Sequence, residues 1–286
     1  MKTRIIQHEP DNRRTESLPG PAPSGAGGWV RRHRLITFFV LAYVFAWWSW
    51  PLYQFDIWPR QEFNAIGALL AAIVVIAVAD GKAGFLDLGR RMIRWRVPWY
   101  YYAFALLLPV ALRAAITLVN DAPSPDWLSL SWTSFALWFL VRLVNPLDGP
   151  MAEEPAWRGF AVPRMQRRTS PLVTAAILGV LVAGWHLPLI DDTGWIGILS
   201  TFSITFVYVW LFNRTGGSVL LVLLFHNAQG FVTFSDLGYT GAGLARQQLL
   251  EFVAWTLVAL VLVVADRKVW RTPPDEAIYP STGDTR

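Results

Sequence analysis

The sequence predicts an all-α, polytopic membrane helical bundle of about eight transmembrane helices, and three observations carry that expectation. Only 16% of the 286 residues are charged while 54% are hydrophobic, whereas soluble domains carry roughly 25% charge. The apolar residues fall into runs of about 17–22, the length an α-helix needs to cross a hydrocarbon layer of about 30 Å. The connections between those runs alternate between Lys/Arg-rich and Asp-containing, the asymmetry that orients membrane helices.

Residues 1–30 are polar and rich in Pro, Gly and Arg, lack an apolar stretch of signal-peptide length, and are expected to form a disordered cytoplasmic tail. A transmembrane domain follows over 31–271, with spans near 35–55, 63–79, 98–119, 133–153, 171–190, 195–213, 217–233 and 248–266; residues 272–286 form a polar tail. Arg31, Arg32 and Arg34 precede the first span, and Lys82, Arg90, Arg91, Arg94 and Arg96 separate the second from the third. Arg164, Arg167 and Arg168 follow the fourth, Arg214 the sixth, and Arg267, Lys268 and Arg271 the eighth. Asp121, Asp126, Asp191 and Asp192 mark the alternate connections, where Arg60 and Arg246 are the basic residues. By the positive-inside rule both termini are cytoplasmic, and a bacterial inner membrane is the expected location. Trp47, Trp48, Trp50, Trp58, Trp95, Trp99 and Trp195 fall near span ends, where aromatic side chains meet the interface. Segment 84–102 mixes basic and apolar residues at helical spacing and is expected on the cytoplasmic membrane surface before Pro98 opens the third span.

The net charge of +5 lies in short blocks between apolar runs, so the basic residues read as topology determinants and not as a nucleic-acid face. The expected partners are the lipid bilayer and a peptide or protein substrate. Cysteine is absent, which excludes thiol nucleophiles, thiolate metal sites and disulfides together.

Ionisable groups at membrane depth cost several kcal/mol unless they are paired or face a wet cavity. Three places break the apolar pattern: Glu153, Glu154 and Arg158; His186 in GVLVAGWHLPL; and His226 with Asn227 in SVLLVLLFHNAQG. Glu154 and Arg158 can pair on one helix face, which leaves Glu153, about 100° around the helix, to face something else. Pro155 is awkward in a helix interior. With Pro146, Gly149 and Pro150 it predicts a break in the fourth span and a half-helix over 151–167. Counting from the arginine-rich ends puts Glu153 and His186 roughly 20 Å deep and His226 roughly 13 Å deep. A carboxylate and two imidazoles from three helices are therefore expected at one cavity.

Such a set can hold Zn²⁺, with Glu153, His186 and His226 as ligands and one position open for water. Alternatively a Glu and a His activate water directly while the second His donates to the developing oxyanion. Asn227 has the place of a supporting, interhelical hydrogen-bonding residue. Each feature alone also has a structural explanation, as a packed imidazole or a helix-end charge network. An ion-coupled relay could use the same residues, but transporters carry internal repeats, and none is evident.

Together the strings EEPAWRGFAVPRMQRR, GWHLPL and LFNRTGGSVLLVLLFHNAQ resemble the CPBP family of CAAX prenyl proteases and bacteriocin-processing enzymes, also called ABI-domain proteins. The resemblance covers residues 85–235. It implies an eight-helix intramembrane endopeptidase, with or without a bound metal, whose cavity is reached from the cytoplasm. Glu153 resembles the water-activating or metal-binding glutamate, Glu154 and Arg158 its supporting pair, and His186 and His226 the histidines of the second and third motifs. Two positions depart from the pattern: Val182 stands where the second motif has Phe, and Gly230 where the third has Asn or Asp. The alternative is a catalytically silent membrane adaptor or immunity-type protein of the same fold, which Gly230 favours and the intact Glu/Arg/His set disfavours.

The alternation of charge makes the Asp121/Asp126 and Asp191/Asp192 connections extracytoplasmic. A single cysteine replacing Ser124 or Thr193 in this cysteine-free chain should react with an impermeant thiol reagent on intact cells. Reaction only after lysis would invert the topology.

Overall fold

The computed structural model describes residues 25–57, 63–120, 131–230 and 238–272, and every regular element among them is helical. That is the economical answer for apolar segments in lipid, where each backbone group must find its partner within its own helix. Trp58, Arg60, Asp121, Asp126 and most of both predicted tails lie outside the described residues.

The chain begins with α1 (Ala26–Arg32), α2 (Arg34–Trp47), α3 (Trp50–Gln54) and α4 (Ile66–Ala79). α5 (Gly81–Met92), α6 (Trp99–Val119) and α7 (Trp132–Val144) follow. α8 (Gly149–Glu154) runs through a π-helical stretch (Pro155–Ala161) into α9 (Val162–Met165). The chain ends with α10 (Pro171–Trp185), α11 (Ile190–Arg214), α12 (Val219–Gly230), α13 (Gly241–Ala265) and α14 (Arg267–Arg271). Each of the eight predicted spans coincides with helix. α6, α13 and the Leu187–Arg214 segment are long and apolar enough to cross a membrane, and α2, α4, α10 and α12 are shorter apolar helices.

Three local features differ from expectation or refine it. Helix begins at Ala26, inside the stretch assigned to the tail, because Gly28 is buried, Val30 packs on the core and Arg31 Nε donates to the Val78 carbonyl at 3.1 Å. The fourth span breaks between Val144 and Gly149, and its second half is helical from Gly149 to Met165. Pro155 is accommodated by the widened π turn, which tolerates a missing N–H within a continuing helix and is common at functional sites. α11 kinks at Gly194, whose φ of 63° only glycine adopts freely, so the sixth span proper starts at Trp195.

Close approach of small residues holds the bundle together, as expected where lipid removes the hydrophobic drive between helices. α2 lays Ala42 and Ala46 on Gly67, Ala68, Ala71 and Ala72 of α4, all fully or nearly buried. A Cβ on Gly67 would lie 2.6 Å from the Ala46 backbone nitrogen. Polar tips cross between helices: Trp185 Nε1 donates to the Ala42 carbonyl (3.0 Å) and Trp47 Nε1 to the Trp185 carbonyl (2.8 Å).

The basic blocks gather at one end of the bundle. Asp80, after α4, binds both Arg34 (3.1 Å) and Arg164 (2.6 Å). Ser218 Oγ donates to the Arg94 carbonyl (2.7 Å), and Arg214 pairs with Asp266. These bonds join the connections that the charge alternation grouped together.

Gly67→Ala should destabilise the protein by about 1–3 kcal/mol, because its Cβ meets backbone that cannot rotate aside. Gly89→Ala, in a helix with nothing within 4 Å of the added Cβ, should be neutral or gain up to about 1 kcal/mol from helix propensity. Thermal denaturation in detergent would measure both, and equal melting temperatures would refute the close-packing argument.

Candidate active site

The half-helix from Gly149 carries the two glutamates into the bundle where α10, α11 and α12 converge, and its start is fixed by a latch. Asp148 caps it, accepting from Gly149 N at 2.7 Å. The same carboxylate is held by Arg142 of α7, Nε to Oδ2 at 2.9 Å and Nη2 to Oδ1 at 3.3 Å. Glu153, 5% exposed, turns to a cavity of about 410 Å³, and Glu154, fully buried, turns to α12.

Sequence reasoning paired Glu154 with Arg158, and the structure does so at 3.1 Å. The same oxygen, Glu154 Oε1, also accepts from His226 Nδ1 at 2.7 Å, a partner that spacing along one helix could not reveal. An ionised carboxylate only accepts, so His226 carries its proton on Nδ1 and turns Nε2 toward the cavity. Arg158 stacks over the Tyr208 ring, 4.2 Å from its centroid, which holds the guanidinium from the α11 side.

His186 ends α10. Its Nδ1 lies 2.8 Å from the Val182 carbonyl, which likewise fixes the proton on Nδ1 and frees Nε2. That Nε2 stands 3.9 Å from Glu153 Oε2, too far for a direct hydrogen bond and a span that one water can bridge. Rings of Phe63 (5.5 Å) and Trp185 (5.0 Å) flank the imidazole. Glu153, His186 and His226 thus line one cavity.

Two glycines that the sequence suggested only as a helix breaker and a motif departure prove to shape the site. A Cβ on Gly149 would lie 3.1 Å from Glu153 Oε1 and 3.5 Å from His226 Nε2, so Gly149 is the floor between them. A Cβ on Gly230 would lie 3.2 and 3.3 Å from the two terminal nitrogens of Arg142. The guanidinium fills the place of the missing side chain, and its Nη1 is buried with no partner among the described residues. Asn227 is turned away from the site, donating from Nδ2 to the Phe139 carbonyl at 2.8 Å and tying α12 to α7. It supports the bundle and not the chemistry.

The cavity wall also includes Arg113, Gln229 and Glu251, which no motif had marked. Arg113 Nη2 donates to the Gln229 carbonyl (2.8 Å) and to Glu251 Oε1 (3.2 Å). Arg113 stands alone in a long apolar run and Glu251 opens another, a signal open to the same argument that found the histidines. The resemblance implied access from the cytoplasm, the end the arginine blocks mark. The lining reaches Asp192, Thr193, Leu244 and Gln248, toward the end of the bundle away from those blocks.

As placed, the three side chains do not fit a three-donor Zn²⁺ site: among the described residues no three His, Asp or Glu stand together as a ligand set. What the arrangement can do is hold and polarise water between a carboxylate and an oriented imidazole.

An all-α integral membrane protein with a buried acid–imidazole site is the class that fold and geometry define. The family model described as type II CAAX prenyl endopeptidase Rce1-like matches residues 131–232, which include Glu153, Glu154, Arg158, His186 and His226. CAAX prenyl protease 2 of Methanococcus maripaludis is 27% identical over 156 residues, 48% of this chain and 54% of the relative. The chain therefore spans about half the length of that curated relative. The family-model match falls on the part of the chain that holds the EEPAWRGF, GWHLPL and FHNAQ strings.

Removing one member of the Glu154–Arg158 pair strands a buried charge, at a cost of about 3–5 kcal/mol. Arg158→Ala should therefore lower folded yield and melting temperature in detergent. Glu154→Gln with Arg158→Met removes both charges and should restore most of the loss. A stable single variant would show that the pair does not hold the fold.

Proposed function

We propose that this chain is an intramembrane endopeptidase that hydrolyses a peptide bond of a membrane-associated peptide or protein. The observation that carries the proposal is the Glu153 carboxylate facing His186 Nε2 across 3.9 Å in a buried cavity. A water between them donates one hydrogen to Glu153 and the other to His186, which directs its lone pair away from both and toward a scissile carbonyl carbon. Glu153 takes the proton as the C–O bond forms and returns it to the leaving amine as the C–N bond breaks. The products are a free amine and a carboxylic acid, which keeps the water's second proton until it passes to solvent.

The developing oxyanion needs donors already in place. His226 turns Nε2 to the same cavity, its ring held through Nδ1 by Glu154 as an orienting acid holds the imidazole in other hydrolases. Arg142 supplies the donor: its unpartnered Nη1 lies beside Gly230, where the family pattern has Asn or Asp. Gly230 is then not a loss of function but the space that admits the guanidinium, which weighs against the silent-adaptor reading. The name of the relative nominates a prenylated CAAX terminus as the first substrate to try. The charge alternation supports a cell membrane with both termini in the cytoplasm.

The test is cleavage of a farnesylated CAAX reporter peptide and its unlipidated counterpart by protein in liposomes. Glu153→Gln should abolish turnover and leave the protein folded. Arg142→Met should lower kcat by about 10²–10³, the usual effect of losing an oxyanion donor, and adding Gly230→Asn to it should recover part of the rate. A fully active Glu153→Gln would sink the endopeptidase reading. Zinc near one equivalent, lost in Glu153→Gln, would replace the direct water mechanism with a metal-dependent one.

A further inference from the structure

Away from the cavity, at the arginine-rich end of the bundle, two distant blocks of the sequence form a single hollow of about 440 Å³. Arg31, Arg32, His33 and Arg34 line it from the end of α1 and the start of α2, and Arg164, Arg167 and Arg168 line it from α9 and the turn that follows. Topology needs basic residues in cytoplasmic connections, but it does not need two of those connections to converge. Six like charges in one hollow repel unless an anion joins them.

The only carboxylate bound to these arginines among the described residues is Asp80, whose side chain is 1% exposed and already spans Arg34 and Arg164. Arg31 is fixed separately through Val78, and Arg164 is further fixed by donating to the Phe160 carbonyl at 2.9 Å. Half of the hollow is thus pre-organised. Arg32, Arg167 and Arg168 are exposed and enter no ion pair described here between side chains.

We propose that this hollow binds a phosphate-bearing anion, and that the anion is the headgroup of an acidic phospholipid. Guanidinium forks match phosphate oxygens in pairs, and basic pockets between membrane helices on the cytoplasmic side suit such headgroups. The lipid source is favoured by what adjoins the hollow. Leu35 and Ile36 belong to its lining, and Ile36, Val40 and Val44 stand at one-turn intervals along α2, each more than half exposed. They make an apolar track for an acyl chain leading out of the arginines. A soluble phosphate would have no use for it.

The test uses the full chain in a neutral detergent, titrated separately with short-chain phosphatidylglycerol, short-chain phosphatidylcholine and inorganic pyrophosphate, with melting temperature as the readout. Phosphatidylglycerol should raise it saturably and phosphatidylcholine should not. Arg32→Gln/Arg167→Gln/Arg168→Gln, which alters only exposed side chains, should weaken the apparent affinity about a hundredfold, since each arginine near an anionic surface contributes about a factor of five. Ile36→Ser should weaken phosphatidylglycerol but not pyrophosphate. Equal stabilisation by the two lipids, or an unchanged response in the triple variant, would overturn the site. A pyrophosphate response equal to that of phosphatidylglycerol would overturn the lipid assignment in favour of a soluble phosphate. Neither readout depends on proteolysis.

Discussion

One oxygen atom organises this protein. Glu154 Oε1 receives Arg158 from its own helix and His226 from α12, in a site where Glu154 has no exposure at all. A carboxylate cannot remain charged in that setting without such partners, and the partners lose their anchor without it. The bond to His226 docks the half-helix on α12 and also chooses the tautomer that turns Nε2 to the cavity. Stability and chemistry therefore rest on the same contact. Glu153, one residue earlier, is left without an ion-pair partner in direct hydrogen-bond contact and so is available to a water.

The placement of those glutamates depends on interrupting a span. A straight fourth helix would carry Arg142 and Glu153 along one rod, whereas the break after Val144 lets α7 return its arginine to the start of the next segment. Arg142 and Asp148 close that corner, and the π turn after Pro155 lets the segment continue past a residue that cannot donate. Glycines at 149 and 230 make room for charged groups to approach without intervening carbon. Small residues serve the same end between α2 and α4, where they let backbones meet.

Much of the fold was legible because membrane solvation leaves few options: apolar length gives the spans and alternating charge gives their order. The depth count brought Glu153, His186 and His226 together because all three are ionisable and lie at similar distances from the arginine-rich ends of their runs. What remained hidden depends on pairings across helices. His226 with Glu154 is separated by 72 residues, and no periodicity connects them. Asn227 shows the converse, since a polar residue beside a site residue points about 100° away and serves packing. Gly230 could be read only as a missing donor, because the residue that fills its space lies on another helix. Arg113 and Glu251 were open to the same reasoning as the histidines and were passed over, having no motif around them.

The exchange at Gly230 also indicates which property the site has to keep. An amide at that position would donate from α12 itself, beside His226. Arg142 delivers donors to the same point from α7, and it does so while bound to Asp148, which caps the helix carrying Glu153. A guanidinium held in this way cannot shift without moving the half-helix, so in the proposed mechanism it would link the oxyanion position to the water position. An asparagine one turn from His226 would tie the oxyanion to α12 alone. Under the proposed mechanism, glycine at 230 changes which helix would set the geometry of catalysis and would bring the corner between α7 and α8 into the active site.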